Sequence, residues 1–368
     1  MRKRILIGLA LFPMVVAAAE IDFNLEIRPI LSNKCFHCHG FDGKKRKAKL
    51  RLDTFEGATR DLGGYAAIVP GKPEQSELMK RVEHHDPEER MPPQKSGRTL
   101  QSAEIAKLRQ WISEGAAYRK HWAWVAPTPR PVPAGHEKNP IDGFVLQRLK
   151  AAGFTPSPPA TREALIRRAT LDLTGLPPTP KEADAFVADS RPDDQAFEAV
   201  VDRLLASPRF GEHMAYRWLD AARYADSDGY EKDNPRPNAW RWRDWVIDAY
   251  NRNKPFDQFT VEQIAGDLLP AKSLEDRQRN VVATTFLTLG NNNLEDQDKD
   301  KLRMDVVDEQ LETISRGFLA QTVGCARCHD HKFDPISTKD YYALAGIFNN
   351  SRLNLNHPVG SKEEVEAH

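Results

Sequence analysis

Apolar residues along this chain recur mainly at intervals of three and four, which is the spacing of one face of an α-helix. The first such stripe comprises Ile21, Phe23, Ile27, Ile30 and Leu31. Few segments alternate between apolar and polar residues with a period of two, so strands should be sparse. The pattern therefore predicts a mainly α fold.

Helix-terminating residues accompany several of the later stripes. A helix is predicted from about Ser102 to Glu114, and a glycine follows it. Thr179 and Glu182 form the pattern of a capping box, which indicates the start of another helix. The stripe that ends at Leu319 predicts a helix that runs into Cys325. The other stripes begin at Ile141, Leu165, Phe197 and Tyr341.

Five prolines fall between Ala126 and Pro140, and such a run favours extended, semi-rigid chain. We interpret it as a linker between two domains, which a length of 368 residues allows. The predicted order is a first domain at 20–118, the linker at 119–139 and a larger helical domain at 140–351. Residues 352–368 are predicted to be a tail or the start of a further domain.

The N-terminus has the organisation of an export signal. Arg2, Lys3 and Arg4 form a positive region, an apolar run follows to Val16, and small residues precede Glu20. A membrane span needs about 20 apolar residues, and this run is shorter. Residues 1–19 are therefore predicted to be a cleaved signal peptide, with an uncleaved anchor as the alternative. The mature chain is predicted to be exported, for example to the periplasm, and to lack a transmembrane span.

Charge narrows the range of partners. The chain carries 53 basic and 53 acidic side chains, so its formal net charge is zero. No overall field attracts it to nucleic acid or to an anionic membrane. A basic cluster between Lys44 and Lys49 is either a solvated loop or a docking patch for an acidic redox partner.

Two short motifs carry the clearest chemistry. Cys35, Cys38 and His39 form a C-x-x-C-H sequence, and Cys325, Cys328 and His329 form a second one. This sequence is the attachment signature of a c-type haem, whose iron takes the adjacent histidine as a ligand. A zinc half-site or a redox dithiol is the alternative, but the two motifs use all four cysteines and both carry the histidine. Two covalently attached haems are therefore predicted.

Met91 is the predicted sixth ligand of the first haem iron. It precedes Pro92 and Pro93, which stiffen the loop, and a helix closes the domain after it. A thioether opposite histidine raises the reduction potential. His84 and His85 are rival ligands, although their acidic neighbours favour a polar loop.

The order of C-x-x-C-H, Met-Pro-Pro and closing helix resembles a class I cytochrome c domain. Nearly the whole mature chain, from Ile27 to Ala117 and from about Asn139 to Asn350, resembles a family of exported planctomycete and verrucomicrobial cytochromes, in which such a module precedes a second domain ending in its own C-x-x-C-H. The second domain is similar in Leu173–Thr179, Trp218–Asp226, Arg236–Arg241, Ala265–Asp267 and Cys325–Ile336. Such proteins usually continue into a further domain, so this chain is a short or incomplete member. The resemblance implies haem at Cys35 and Cys38, with His39 and Met91 as axial ligands.

The sixth ligand of the second haem iron is left open by the sequence. Met304 lies 21 residues before Cys325, or about 30 Å on one straight helix, which places it out of reach. His331 is too close to the attachment turn. His213, Met214, His357 and an open iron site remain.

Two further patterns lie in the second domain. Aromatic residues and arginines alternate between Arg209 and Asp267, which predicts either a haem wall or a tryptophan core with arginines at its rim. The segment from Asp226 to Asp233 has acidic residues around a glycine and weakly resembles a calcium loop. A solvated acidic turn is the alternative to calcium.

Three functions follow from these features. The first is electron transfer between an unknown donor protein and an unknown acceptor protein. The second is a haem enzyme, such as a dihaem peroxidase, in which Asp226, Asp228, Arg236 and His331 move protons at an open second haem. The third is a secreted interaction scaffold.

Overall fold

The computed structural model describes residues 21–43, 45–135, 139–229, 233–291, 296–331, 334–351, 360 and 363. The predicted signal peptide and nearly all of the predicted tail lie outside these residues. The chain divides into two compact units. The first comprises Met1–Pro127 and His329–Pro335, and the second comprises Thr128–Cys328 and Ile336–His368.

The first unit is a small helical domain. A π-helical turn, Phe23–Ile27, leads into α1, and 3-10 turns separate the later helices. Its helices are α1 (Arg28–Lys34), α2 (Phe36–His39), α3 (Phe55–Thr59), α4 (Glu77–Val82) and α5 (Ser102–Ser113). The closing helix α5 packs on α4 and on the π-helical turn, and its Trp111 and Ile112 are buried. The predicted helix before Cys35 and the predicted closing helix are both confirmed.

The second unit contains ten longer helices among its described residues. They are α6 (Pro140–Ala151), α7 (Arg162–Thr174), α8 (Pro180–Val187), α9 (Asp193–Leu205), α10 (Pro208–Ala221), α11 (Ala239–Asn251), α12 (Phe256–Ala265), α13 (Leu274–Ala283), α14 (Lys299–Leu319) and α15 (Thr338–Phe348). The Thr179 capping box is present at the start of α8. The described parts of both units contain no strand, only an isolated bridge between Ser227 and Pro235. The mainly α prediction is confirmed.

The aromatic and arginine-rich region forms the largest apolar cluster of the second unit. Trp242, Trp245, Phe259 and Phe286 are buried in it. Arg241 lies over the half-exposed ring of Trp240 at 4.9 Å from the ring centroid. The structure thus agrees with a tryptophan core that has arginines at its rim.

Helix α14 departs from the prediction at its C-terminal end. It stops at Leu319, and Ala320 adopts a left-handed conformation with φ of 51°. A non-glycine residue in this region is uncommon, and here it turns the chain out of the helix. The expectation of one helix running into Cys325 is therefore wrong.

No helix among the described residues is both long enough and apolar enough to cross a membrane.

Candidate functional site

The first C-x-x-C-H motif lies where α1 meets α2. The amide of Cys35 donates to the carbonyl of Leu31 at 2.8 Å, which caps α1. The amides of Cys38 and His39 both donate to the carbonyl of Cys35, at 3.1 and 2.9 Å. Phe36 is buried and anchors the turn in the core of the unit. One turn of backbone therefore carries both thiols and the imidazole.

The chain segment that follows this turn donates hydrogen bonds to the carbonyl groups of the turn. The amide of Lys47 donates to Cys38 and the amide of Leu52 donates to His39, each at 2.7 Å. The hydroxyl of Tyr118 donates to the carbonyl of Leu52 at 2.9 Å. The ring of Tyr118 packs on Trp111 with 5.2 Å between centroids. His39 is thus linked through Leu52 to the aromatic core of the domain.

Burial sets the protonation of the groups on this turn. It lowers the pKa of His39, with the backbone of Lys47 acting in the opposite direction. Burial also raises the pKa of the Cys35 thiol to about 12. The Nδ1 atom of His39 is buried and has no hydrogen-bond partner in the described part of the chain. A neutral, desolvated imidazole beside two thiols fits the ligand set of a c-type haem.

Met91 lies in the loop that follows α4. Its amide donates to the carbonyl of Arg81 at 2.9 Å, and Arg81 forms ion pairs with Glu77 and Glu89. The contacts of Arg81 with Glu89 and Met91 fix this end of the loop to α4. The side chain of Met91 is exposed, with 37% of the residue accessible. The thioether of Met91 is therefore not a core side chain.

The two rival histidines belong to an exposed polar loop. His84 and His85 are both exposed, and Nδ1 of His84 accepts a hydrogen bond from the amide of Asp86 at 3.1 Å. This arrangement agrees with the interpretation of the segment as a polar turn.

The basic cluster combines a structural arginine with exposed lysines. The guanidinium of Arg46 donates to the carbonyls of Gly40 and Phe41, at 2.9 and 2.5 Å. Lys45, Lys47 and Lys49 are exposed, whereas Lys44 lies outside the described residues. Arg46 therefore supports the loop that follows the first motif, and the lysines face solvent.

The second C-x-x-C-H motif begins in a 3-10 turn, Gly324–Arg327. Cys325 and Cys328 are exposed, while Ala326 between them is buried. The carboxylate of Glu312 accepts hydrogen bonds from the amides of Val323 and Gly324, at 3.2 and 3.0 Å. Both thiols of the turn are thus open to a large ligand.

The imidazole of His329 is oriented for metal binding. Its Nδ1 lies 2.8 Å from the carbonyl oxygen of Asp330. Because a carbonyl can only accept, Nδ1 donates in this contact, which leaves Nε2 as the ring nitrogen that could bind a metal ion. This arrangement is common among metal-ligating histidines.

Arg327 ties the second motif to α14. Its guanidinium contacts the carboxylates of Asp305 and Asp308, at 2.8 and 3.2 Å. The hydroxyl of Tyr341 donates to Asp308 at 2.5 Å. Since the chain turns back after Leu319, the motif lies beside the first half of α14. The straight-helix exclusion of Met304 is therefore wrong.

The candidate ligands His213, Met214 and His357, and the excluded His331, are found as follows. A Cβ atom built on Gly175 would lie 2.6 Å from Nδ1 of His213, so this ring packs on the end of α7. Nδ1 of His331 accepts a hydrogen bond from the amide of Asp334 at 3.0 Å. Met214 lies on α10 and is partly buried. His357 is outside the described residues.

The calcium interpretation is not supported where the loop is described. The carboxylate of Asp228 binds the guanidinium of Arg236 at 2.7 Å, and Asp226 accepts from the hydroxyl of Tyr224. Asp233 accepts from the amide of Gly229 at 2.8 Å. No group of three or more His, Cys, Asp or Glu side chains in the described ranges could hold a metal ion. The loop agrees with an acidic turn, and Tyr230–Lys232 are not described.

Sequence reasoning missed the residues that support the two motifs. Tyr118, Glu312 and Asp308 make no recognisable local pattern with the cysteines, because their contacts span 11 to 66 residues. Arg327, between the two cysteines, is the supporting residue that lies within a motif, and its carboxylate partners are 19 and 22 residues away.

An attachment turn, a neutral histidine and a loop bearing methionine within one small helical unit define a c-type cytochrome domain. Residues 35–95 match the family described as PSCyt1, Planctomycete cytochrome C, which implies covalently bound haem in this unit. Residues 140–353 match the family described as PSCyt2, a protein of unknown function (DUF1549), over more than half of the chain. The chain belongs to that family. Neither curated proteins nor solved structures gave a match.

Proposed function

We propose that this chain is an exported cytochrome with two covalently attached c-type haems, and that it transfers electrons between a donor protein and an acceptor protein. The observation that carries the proposal is shared by both motifs. In each, the histidine after the second cysteine is prepared for iron: burial lowers the pKa of His39, and the contact of Nδ1 of His329 with the carbonyl of Asp330 leaves Nε2 as the nitrogen that could bind.

The first haem would be held by thioether bonds to Cys35 and Cys38, with His39 as the proximal ligand and Met91 as the distal ligand. Bound haem iron supplies one-electron oxidation and reduction. The protein's part is to fix the ligands. The returning chain holds the carbonyls of the Cys38–His39 turn, and Arg81 holds the loop of Met91.

The second haem would be held by Cys325 and Cys328, with His329 as its proximal ligand. Both cysteines are more exposed than the first pair. Since solvent exposure stabilises the more highly charged ferric form, we expect the second haem to have the lower potential of the two. Electrons would then pass from the second haem to the first.

Export is proposed from the signal-like sequence at residues 1–19, which precedes the described residues. It accords with the use of all four cysteines in haem attachment. The partners are proposed to be redox proteins. Near the first motif, the exposed Lys45, Lys47 and Lys49 form a positively charged surface to which an acidic partner could bind.

Electron transfer is preferred to an enzymatic role because the residues suggested for proton transfer have other partners. Asp228 and Arg236 bind each other, and Nδ1 of His331 accepts from a backbone amide. The remaining two nitrogens of Arg236 donate to the carbonyls of Leu289 and Gly290, at 2.7 Å each. All of these groups hold loops together.

A redox titration of the exported, haem-loaded protein tests the proposal. Optical and electron-spin-resonance spectra should show two one-electron steps, with both haems six-coordinate in both oxidation states. The double variant Cys325→Ala/Cys328→Ala should lose only the lower-potential step, and Cys35→Ala/Cys38→Ala only the higher one. An iron site that is open and reacts with peroxide would instead indicate the enzyme.

A further inference from the structure

We propose that His121 and Asp334 link the iron ligands of the two haems inside the first compact unit, and that electrons pass from the second haem to the first along this link. The ligands are His39 and His329, so the link rests on the proposed attachment of one haem at each motif. It names the side chains through which the two haems exchange electrons.

Both iron ligands belong to the same compact unit. The first unit contains the chain up to Pro127 and also the segment His329–Pro335. His39 and His329 therefore share a unit, although they are far apart in the sequence. A path between them can be followed without leaving this unit.

The carboxylate of Asp334 lies between two buried imidazoles. One of its oxygens lies 3.4 Å from Nε2 of His121, and the other lies 3.4 Å from Nδ1 of His331. The amide of Asp334 also donates to Nδ1 of His331 at 3.0 Å. His121 is 9% exposed and His331 is 5% exposed. Water therefore has little access to these contacts, and polar interactions are stronger in such surroundings.

The neighbours of His121 determine which of its ring nitrogens faces the carboxylate as a donor. Nδ1 accepts a hydrogen bond from the amide of Ala123 at 3.3 Å. Nε2 is then the nitrogen that can donate to Asp334. Burial and the nearby Arg28 lower the pKa of His121, while Asp334 acts in the opposite direction.

On one side, His331 connects Asp334 to the ligand His329. Asp330 is the single residue between these two histidines. The carbonyl oxygen of Asp330 lies 2.8 Å from Nδ1 of His329. The ring of His329 is therefore joined to Asp334 by covalent bonds and hydrogen bonds.

On the other side, Tyr118 connects His121 to the ligand His39. Three peptide bonds separate Tyr118 from His121. The hydroxyl of Tyr118 donates to the carbonyl of Leu52 at 2.9 Å, and the amide of Leu52 donates to the carbonyl of His39 at 2.7 Å. Electrons tunnel more readily through bonded atoms than across gaps, so this continuous path favours exchange between the two irons.

One electron moves in each exchange. The iron attached at the second motif loses it and passes from ferrous to ferric, and the iron attached at the first motif gains it and passes from ferric to ferrous. The side chains of the link are neither oxidised nor reduced overall, and no proton is transferred.

The substitutions His121→Phe and Asp334→Ala break the link from its two sides in the haem-loaded, full-length protein. Phenylalanine keeps a ring against Trp122, whose centroid lies 5.5 Å from that of His121, but it has no nitrogen. After rapid photoreduction of the second haem, the electron should reach the first haem several times more slowly in both variants than in the wild type, at unchanged reduction potentials. Asp61→Ala is the matched control, because Asp61 is a carboxylate of the same unit that binds turn amides, and it should leave the rate unchanged.

An NMR titration of the fully reduced protein tests the contact without electron transfer. Since Asp334 raises the pKa of His121, this pKa should fall in Asp334→Ala. The resonance of His121 is identified by its loss in His121→Phe.

An unchanged transfer rate in His121→Phe, with both haems attached, would overturn the link and leave the proposed function intact. An unchanged pKa of His121 in Asp334→Ala would overturn it as well. A wild-type chain that carries a single haem would refute the proposed function itself, and the link with it.

Discussion

Removing the hydroxyl of Tyr118 tests how the first haem's histidine is held. The substitution Tyr118→Phe deletes the hydrogen bond to the carbonyl of Leu52 at 2.9 Å. It keeps the ring, which packs on Phe23 and Trp111 with 4.8 and 5.2 Å between centroids. The amide of Leu52 in turn donates to the carbonyl of His39. The substitution therefore weakens the hydrogen bonding that holds the backbone of His39.

Tyr118→Phe should lower the free energy of unfolding by the contribution of one partly buried hydrogen bond. Such a bond contributes about 0.5 to 1.5 kcal/mol, and an acceptor left without a partner costs about 1 to 3 kcal/mol. Some water reaches this half-buried position, so we expect a loss of about 1 to 1.5 kcal/mol. For a domain of about 100 residues, 1 kcal/mol corresponds to a decrease in Tm of about 4 to 8 °C.

Urea unfolding of the haem-loaded protein measures this loss when it is followed at the thioether band of the first haem. Tyr65→Phe is the matched control, because Tyr65 is an exposed tyrosine of the same unit. The midpoint should fall in Tyr118→Phe and stay unchanged in Tyr65→Phe. Equal midpoints in the two variants would refute the proposed support of His39.

Three other predictions concern single side chains. Met91→Leu should remove the thioether band of the first haem and lower its potential, as redox titration can show; an unchanged band would exclude Met91 as a ligand. Glu312→Gln weakens two charge-assisted hydrogen bonds from the amides of Val323 and Gly324. Haem incorporation at the second motif, measured by intact mass, should therefore fall, while incorporation at the first motif should not change. Burial raises the pKa of Glu309 above its ordinary value of 4.5 despite its ion pair with Arg223. The folded chain therefore binds this proton more tightly, and stability relative to Glu309→Gln should be greatest below about pH 4.5 and decline as pH rises through the raised pKa; a rise instead would contradict the burial argument.

The helices could be predicted because their signals are local. The apolar stripe that ends at Leu31, the closing helix before Gly115 and the capping box at Thr179 each lie within a few residues of the structure they specify. Periodicity and capping act over one or two turns, so the sequence displays them directly.

The end of α14 could not be predicted in the same way. A left-handed residue that ends a helix is usually glycine, and here Ala320 takes that conformation without a glycine to mark it. The apolar stripe continues to Leu319, which favours extending the helix toward Cys325. Only tertiary contacts, such as those of Arg327 with Asp305 and Asp308, reveal the return of the chain.

The contacts that support the candidate sites could not be predicted from the sequence either. Tyr118 and Leu52 are 66 residues apart, and the hydrogen bond between them depends on the packing of a whole unit. The cysteines and histidines of the motifs were recognisable because their chemistry requires adjacent positions. Their supports need only be close in space.

The number of haems carried by the exported protein tests the central proposal most directly. Intact mass spectrometry under denaturing conditions, combined with peptide mapping, would count the attached groups and locate them. We predict two haems per chain, one on the peptide containing Cys35 and Cys38 and one on the peptide containing Cys325 and Cys328. A chain that carries haem at the first pair alone, with free thiols at the second, would contradict the dihaem proposal.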